Sequence, residues 1–231
     1  MKMVVPMNIH RPVKAYYLGE IAFARAAIIQ HKLARAIVAD GHPDTFLFLQ
    51  HTPVITLGKN ANASHILASP ETLESDGIAI AHTDRGGGVT FHGPGQLIVY
   101  PIFRIRGTYT VLQYVKLLQG IVISTLAIFG VNAVTRDRSP GLWVEDRKIS
   151  SIGIRIHNGI STHGLSINVL SDLSGFRYIT ACNDPDMLHT ALQNEALISL
   201  DWDTVFQTFI QELETALHMQ LCWQSTLNYK G

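Results

Sequence analysis

Thirteen consecutive residues, Asp84-Arg85-Gly86-Gly87-Gly88-Val89-Thr90-Phe91-His92-Gly93-Pro94-Gly95-Gln96, interleave five glycines with an arginine, a threonine, a histidine and a glutamine. Glycine lets a backbone turn sharply and come close to another group. Polar side chains set among glycines are what a bound molecule requires. Two more residues with reactive side chains stand apart from this loop. Lys148 opens an apolar run, and Cys182 lies in a polar segment after Phe176-Arg177-Tyr178-Ile179-Thr180. A thiolate is a strong nucleophile, yet a free cysteine with a pKa of ~8.5 is only a few per cent ionised at neutral pH. A neighbouring ammonium favours the thiolate, and a lysine held out of water exchanges its proton readily. Backbone N–H groups of residues 86–92 are natural donors to an oxyanion, each worth on the order of 3–4 kcal/mol when well aimed. The chemistry available to these residues is nucleophilic attack by a thiolate, with the lysine to exchange its proton.

These groups must be held by rigid elements. The apolar run from Leu97 to Ile102 directly follows the glycine-rich loop and predicts a buried strand that anchors it. A helix is predicted in the run from Glu20 to Asp40, stopped at Gly41-His42-Pro43. Val111, Val115, Leu118, Val122, Leu126 and Phe129 recur at helical spacing up to Gly130, and Val205, Phe209, Leu213 and Leu217 do so after Asp201, a helix cap. Strands are predicted at Thr45–Leu49, Val54–Leu57, Ile78–His82, Leu97–Ile102, Leu142–Glu145, Lys148–Ile156 and His163–Val169. Several of these are neighbours with no helix between them, so the class is α/β (α+β) with a mixed sheet and packed helices, not a doubly wound parallel sheet. Gly153 and Gly164, inside strand-like runs, mark bulges or places where a ligand nears the backbone. Together the glycine-rich loop, residues 141–153 and residues 162–183 predict a narrow apolar slot with one lysine and one cysteine at its mouth. The tail from Cys222 to Gly231 is expected to be loosely ordered, and Cys222 to be a packing residue.

Length and composition bound the function. At 231 residues and 47% hydrophobic content the chain can bury a sizeable core as a single domain, and two small domains stay open as an alternative. Eighteen basic residues balance 18 acidic ones, so no global field points to nucleic acid. The N-terminus has no continuous apolar segment of a secretion signal, and the apolar stretch 117–134 is broken by Gln119, Gly120, Ser124, Thr125, Gly130 and Asn132, so no membrane span is expected. The expected location is the cytoplasm. Two cysteines make no disulfide framework, and the 11 histidines show no spacing of a metal site.

The order and spacing of the motifs resemble those of the lipoyl(octanoyl) transferases, within the biotin and lipoate protein ligase superfamily. The resemblance rests on Arg85 to Tyr100, on His51-Thr52-Pro53-Val54-Ile55-Thr56-Leu57-Gly58-Lys59, on Lys148-Ile149-Ser150-Ser151-Ile152-Gly153 and on His163-Gly164-Leu165-Ser166-Ile167-Asn168-Val169. It covers residues of about 15 to 195. It implies a biotin/lipoate protein ligase-like fold, and transfer of octanoyl from acyl carrier protein to a lysine of a lipoyl domain in lipoate biosynthesis. The acceptors it implies are the lipoyl domains of 2-oxoacid dehydrogenase complexes and the glycine cleavage H protein. Neither cofactor nor metal is implied. Cys182 falls on the acyl-thioester nucleophile and Lys148 on the lysine that activates it. Arg85, Gly86, Gly87, Gly88, Val89, Thr90, Phe91 and His92, with Ser151, Ile152, Gly153, Gly164, Leu165 and Ser166, fall on the segments that contact the acyl substrate.

The chain departs from the family pattern near the nucleophile. Ala181-Cys182-Asn183 stands where Pro-Cys-Gly is usual, and Ser166 stands for an alanine. Two other readings stay open: an ATP-dependent lipoate–protein ligase in which Lys148 meets an adenylate, and a non-catalytic relative that binds acyl carrier protein or lipoyl domains. His163 reads as structural, while His92 reads equally as structural or as a substrate contact. Arg104, Arg106, Arg136, Arg138 and Arg147 are expected to form a docking face for small acidic protein partners.

Overall fold

In the computed structural model, residues 12–137, 139–181, 184 and 186–227 are described. In chain order the elements are β1 (Val13–Ile21), α1 (Phe23–Asp40), β2 (Thr45–His51), β3 (Val54–Leu57), α2 (Pro70–Ser75), β4 (Ala79–His82), β5 (Val89–His92), β6 (Gln96–Ile102), α3 (Val111–Ile128), β7 (Val134–Arg136), β8 (Ser139–Val144), β9 (Arg147–His157), β10 (Ile160–Asn168), β11 (Leu188–His189), α4 (Leu192–Glu195), α5 (Trp202–Leu217) and β12 (Leu221–Trp223).

The apolar runs of β2 and β6 are continuous because both faces of their sheet are covered. Side chains alternate strictly. Leu47, Leu49, Ile98, Tyr100 and Ile102 meet Ala26, Ile29, Leu33 and Ile37 of α1 on one face. Phe46, Phe48, Leu97 and Val99 meet α3 and α5 on the other. The main sheet runs β12-β1-β2-β6-β10-β9-β8-β7, with β11 joined to the start of β9. From β2 to β7 every pairing is antiparallel, while β1 pairs parallel with both β2 and β12. This is the mixed sheet expected from strands that follow one another without helices. A second, three-stranded sheet in the order β4-β3-β5 carries the glycine-rich loop.

The helix boundaries follow their caps. Thr110 and Gln113 form a reciprocal capping box at the start of α3, and the Asp201 side chain accepts from the Thr204 N–H at the start of α5. Helix α1 stops at Gly41 in left-handed backbone (φ 66°). It begins at Phe23, later than the apolar periodicity suggested, because Glu20 and Ile21 pair with β2. Helix α3 is long and apolar enough to cross a membrane, with a mean hydropathy of 1.6 over 18 residues. Its buried side chains, Tyr114, Leu118, Ile121, Val122 and Leu126 among them, instead join α5 and the sheet in one core.

The C-terminal segment corrects the sequence reading. Residues 221–223 form β12, paired with Val13, Lys14 and Ala15, and the Trp223 ring packs on Phe48 and Phe206 at centroid distances of 5.4 and 6.0 Å. Cys222 is exposed, not packed. Strand pairing on one side and ring packing on the other order a stretch whose sequence has no periodicity. A chain ending at Met219 is expected to lose about 2–3 kcal/mol of unfolding free energy, the scale of one large apolar side chain and its ladder. Urea denaturation checks this; an unshifted midpoint would mean that β12 contributes nothing.

Candidate active site

A cavity of about 440 Å³ lies between the two sheets. Its floor is the α1 face of the main sheet, where Ile98, Ser151, Gly153, Gly164 and Ser166 come up from β6, β9 and β10, and its roof is residues 85–90. Gly153 and Gly164 are a cross-strand pair. Neither is a bulge; both are close approaches. A Cβ on Gly164 would stand 2.1 Å from the Val99 carbonyl oxygen, and one on Gly153 would stand 3.1 Å from that of Gly86. The roof can therefore rest directly on the floor at this point, and the slot stays narrow.

Arg85 shapes the roof. Its side chain turns inward, only 8% exposed, and donates to the Thr56 Oγ1 and carbonyl oxygen (both 2.8 Å), the Gly86 carbonyl (2.9 Å) and the Gly88 carbonyl (2.9 Å). The loop backbone is also fastened to residues 58–60: Gly58, Lys59 and Asn60 donate to the carbonyls of Gly88, Arg85 and Gly87. The Gly86 N–H is already committed to the Ile154 carbonyl at 3.0 Å. No described backbone carbonyl accepts from Gly87 or Gly88, so these two amides are the ones free to face an oxyanion. Gly87 has a φ of 87°, a conformation that any side chain strains, so an alanine there would disturb folding as well as turnover.

Lys148 is buried, 3% exposed, and lines the cavity. Cys182 lies outside the described residues. The chain on both sides of it is pinned, however. Ile179 bridges to Ile66, and the Thr180 N–H donates to the His65 carbonyl. Beyond it, His189 pairs with Lys148 itself, and the Thr190 N–H donates to the Lys148 carbonyl at 2.9 Å. Asp184 and Met187, in between, line the cavity.

The far end of the cavity is walled by Phe23, His92, Tyr100 and His163. Burial sets the protonation of these rings. His51, behind the wall, is pulled down to about 4 by burial, and its Nδ1–H donates to the Ile21 carbonyl at 2.9 Å while its Nε2 accepts from the Tyr100 hydroxyl at 2.8 Å. His92 is pulled down to about 3 by burial and by His51 beside it, and its Nδ1–H donates to Gln96 Oε1 at 2.9 Å. His163 is lowered by burial against the opposing pull of Asp84, to which its Nε2–H donates at 2.7 Å. Asp84 also holds Arg155. The result is a neutral wall, which suits an apolar chain better than a charged one would.

A family model, the lipoyl protein ligase A/B catalytic domain, matches residues 23–214. The octanoyltransferase of Chloroflexus aurantiacus is 42% identical over 189 residues, 80% of this chain and 85% of that one. That of Koribacter versatilis is 33% identical over 222 residues, 94% and 88% of the two chains. The chain belongs to the lipoyl protein ligase A/B family. The crystal structure of a lipoate-protein ligase A bound with ATP shares the fold, with a TM-score of 0.74 at 15% identity over 92% of this chain and 88% of that one. The resemblance read from the motifs and the expected biotin/lipoate protein ligase-like fold are thus both borne out.

Within this family member, Lys148, Arg85 to Thr90, His92, Ser151 to Gly153 and Gly164 to Ser166 all border one cavity. Phe91 does not. Strand alternation turns it to the opposite face, where it meets Phe176 at 5.7 Å and fills the space left by Gly175, whose Cβ would stand 2.4 Å from the ring. Sequence reasoning missed Phe23, Tyr100 and Trp143 as cavity residues; Phe23 comes from the start of α1, far from the glycine-rich loop in the chain. The arginine face is also corrected. Arg104 is taken up by Asp44 and by the carbonyls of Ile37 and His42, and Arg106 lies beside Gly159. Both sit near the end of β9, whereas Arg147 starts that 11-residue strand, roughly 33 Å away along it. Arg147 pairs with Glu145 and Glu195, and Arg138 lies outside the described residues.

Two expectations follow for stability. Unfolded imidazoles take up protons below pH ~6.5 while His51, His92 and His189, the last lowered to about 3 by burial and by Lys148, stay neutral in the fold. Stability is then complete above pH ~6.5 and declines as the pH falls toward 4. Melting temperature followed from pH 7 to 4 tests this, and a flat profile would overturn it. Thr56→Val removes one acceptor of the buried guanidinium and should cost about 1–3 kcal/mol in chemical denaturation.

Proposed function

We propose that this chain moves an octanoyl group from acyl carrier protein to a lysine of a lipoyl domain, in lipoate biosynthesis, through a thioester on Cys182. The observation that carries this reading is convergence: Lys148, the glycine-rich roof and the paired Gly153/Gly164 floor border one slot, and the segment that follows Cys182 pairs with Lys148 at His189. The octanoyltransferases at 33–42% identity support the acyl group and the reaction class.

In the first half-reaction the Cys182 thiolate attacks the thioester carbonyl, and the carrier thiolate leaves and takes up a proton. The N–H groups of Gly87 and Gly88 are the donors for the tetrahedral oxyanion. In the second half the acceptor amine attacks the acyl-enzyme, loses a proton, and expels the Cys182 thiolate. Lys148 is the group that relays protons in both halves. Acyl exchange between thioesters is nearly isoenergetic, so no ATP enters. The acyl chain lies against Ile98 and the Gly153/Gly164 floor, with its end toward the neutral wall of His92 and His163. The whole chain works as one catalytic domain in the cytoplasm, with the lipoyl domains of 2-oxoacid dehydrogenase complexes and the glycine cleavage H protein as acceptors.

Mixing the protein with octanoyl–acyl carrier protein without ATP should give an octanoyl adduct by intact mass spectrometry. The adduct should be labile to hydroxylamine and missing from Cys182→Ser, and Lys148→Ala should slow its formation by a factor on the order of 100 or more. Modification of a lipoyl domain only when ATP is supplied would replace this reading with that of a ligase. Absence of both would leave a binding protein.

A further inference from the structure

Strand β9 should turn Lys148 away from the cavity. Ser151 and Gly153 line the cavity, and Ile152, which borders it as well, is a member of the core on the α3/α5 side of the sheet. Strict alternation would then send Lys148 to that side and Ile149 to the cavity. The reverse is found: Ile149 is in the α3/α5 core and Lys148 lines the cavity. The cause is a shift in pairing with β8. Leu142 is opposite Ser150, but Trp143 is opposite Lys148, so the ladder skips Ile149. A bulge of this kind re-aims one side chain.

Strand β8 then receives the re-aimed side chain. A Cβ on Gly141 would stand 2.5 Å from Lys148 Cε, 2.6 Å from the Ser150 carbonyl oxygen and 3.2 Å from Nζ, so the lysine stem and the β9 backbone both lie against β8 at the residue without a side chain. Beyond that contact, Nζ lies 5.3 Å from the centroid of the Trp143 ring, which is 1% exposed. A cation over an indole face is attracted by the ring quadrupole, most strongly where water is excluded.

We propose that Gly141 and Trp143 are positioning residues for Lys148: the glycine clears the path of its side chain and the indole face holds its ammonium in place for proton exchange with Cys182. This assignment rests on the acyl-transfer reading of Lys148. The ring touches neither reacting atom in this scheme; it acts through the lysine.

The test is a double-mutant cycle in a Cys222→Ser background, which leaves Cys182 as the single thiol. The parent, Trp143→Leu, Lys148→Ala and the double variant are compared in two assays. One is the rate of thioester formation from octanoyl–acyl carrier protein, and the other is the pH dependence of alkylation by iodoacetamide. Trp143→Leu should lower kcat on the order of ten-fold with little change in KM and move the alkylation midpoint to higher pH. Trp143→Phe, which keeps an aromatic face, should recover most of the loss. In the Lys148→Ala background, Trp143→Leu should cost nothing further. Equal losses in both backgrounds would overturn the assignment and make Trp143 a packing residue. If Trp143→Leu does not fold, Trp143→Met passes through the same cycle with the same expectation. Lys148→Ala behaving like the parent in both assays would remove the acid/base reading of Lys148, and the positioning role with it.

Discussion

The buried guanidinium of Arg85 is the constraint on which the site depends. Arginine stays charged in proteins, and an ion out of water must have its donors satisfied or the fold pays heavily. Here the acceptors are Thr56 on β3 and the carbonyls of Gly86 and Gly88 in its own loop. Meeting those donors forces residues 86–88 to curl around the guanidinium. The curled loop then lies against residues 58–60 on one side and Ile154 on the other. Gly58 and Gly153 are needed for the same reason, since a Cβ at either would strike the loop, at 2.4 Å from the Gly87 carbonyl oxygen and 3.1 Å from that of Gly86. One charge thus sets the roof height over the main sheet.

The second organising effect is desolvation. The cavity wall contains imidazoles and a phenol, groups that look suited to acid–base work near neutral pH. Burial keeps them neutral: His51 and His92 are held far below their ordinary range, and Tyr100 is raised above its own. Each also has a partner that uses its N–H or O–H within the wall. The polar groups at this end therefore stabilise one another and present an uncharged surface. Lys148, the buried lysine of the cavity, is not part of this wall.

Much of this was legible in the residues. The glycine-rich loop, the lysine at a strand start, and the glycines inside two strands are local signals, and each fell on the cavity. The capping residues Thr110 and Asp201 and the stop at Gly41 are local too, and the helices respect them. Phe91 was misread because a motif reports which residues occur together, while alternation along β5 sends its neighbours to opposite faces. Arg104 and Arg106 were misread as sharing a face with Arg147 because clustering in sequence and clustering in space differ once a strand runs between them. The tail was misread because β12 is ordered by its partner β1, more than 200 positions earlier in the chain.

What the sequence by itself determined is the set of elements and the residues they carry: periodic apolar faces, caps, glycine positions, and a lysine at the start of a strand. The tertiary structure decided which way the decisive side chain points. By alternation alone Lys148 belongs to the core. It enters the cavity because the β8–β9 ladder skips Ile149 and because Gly141, on the neighbouring strand, leaves room for its stem. Register between two strands is a non-local property, set by hydrogen-bond pairing and packing against both sheet faces. No window of sequence around Lys148 contains it.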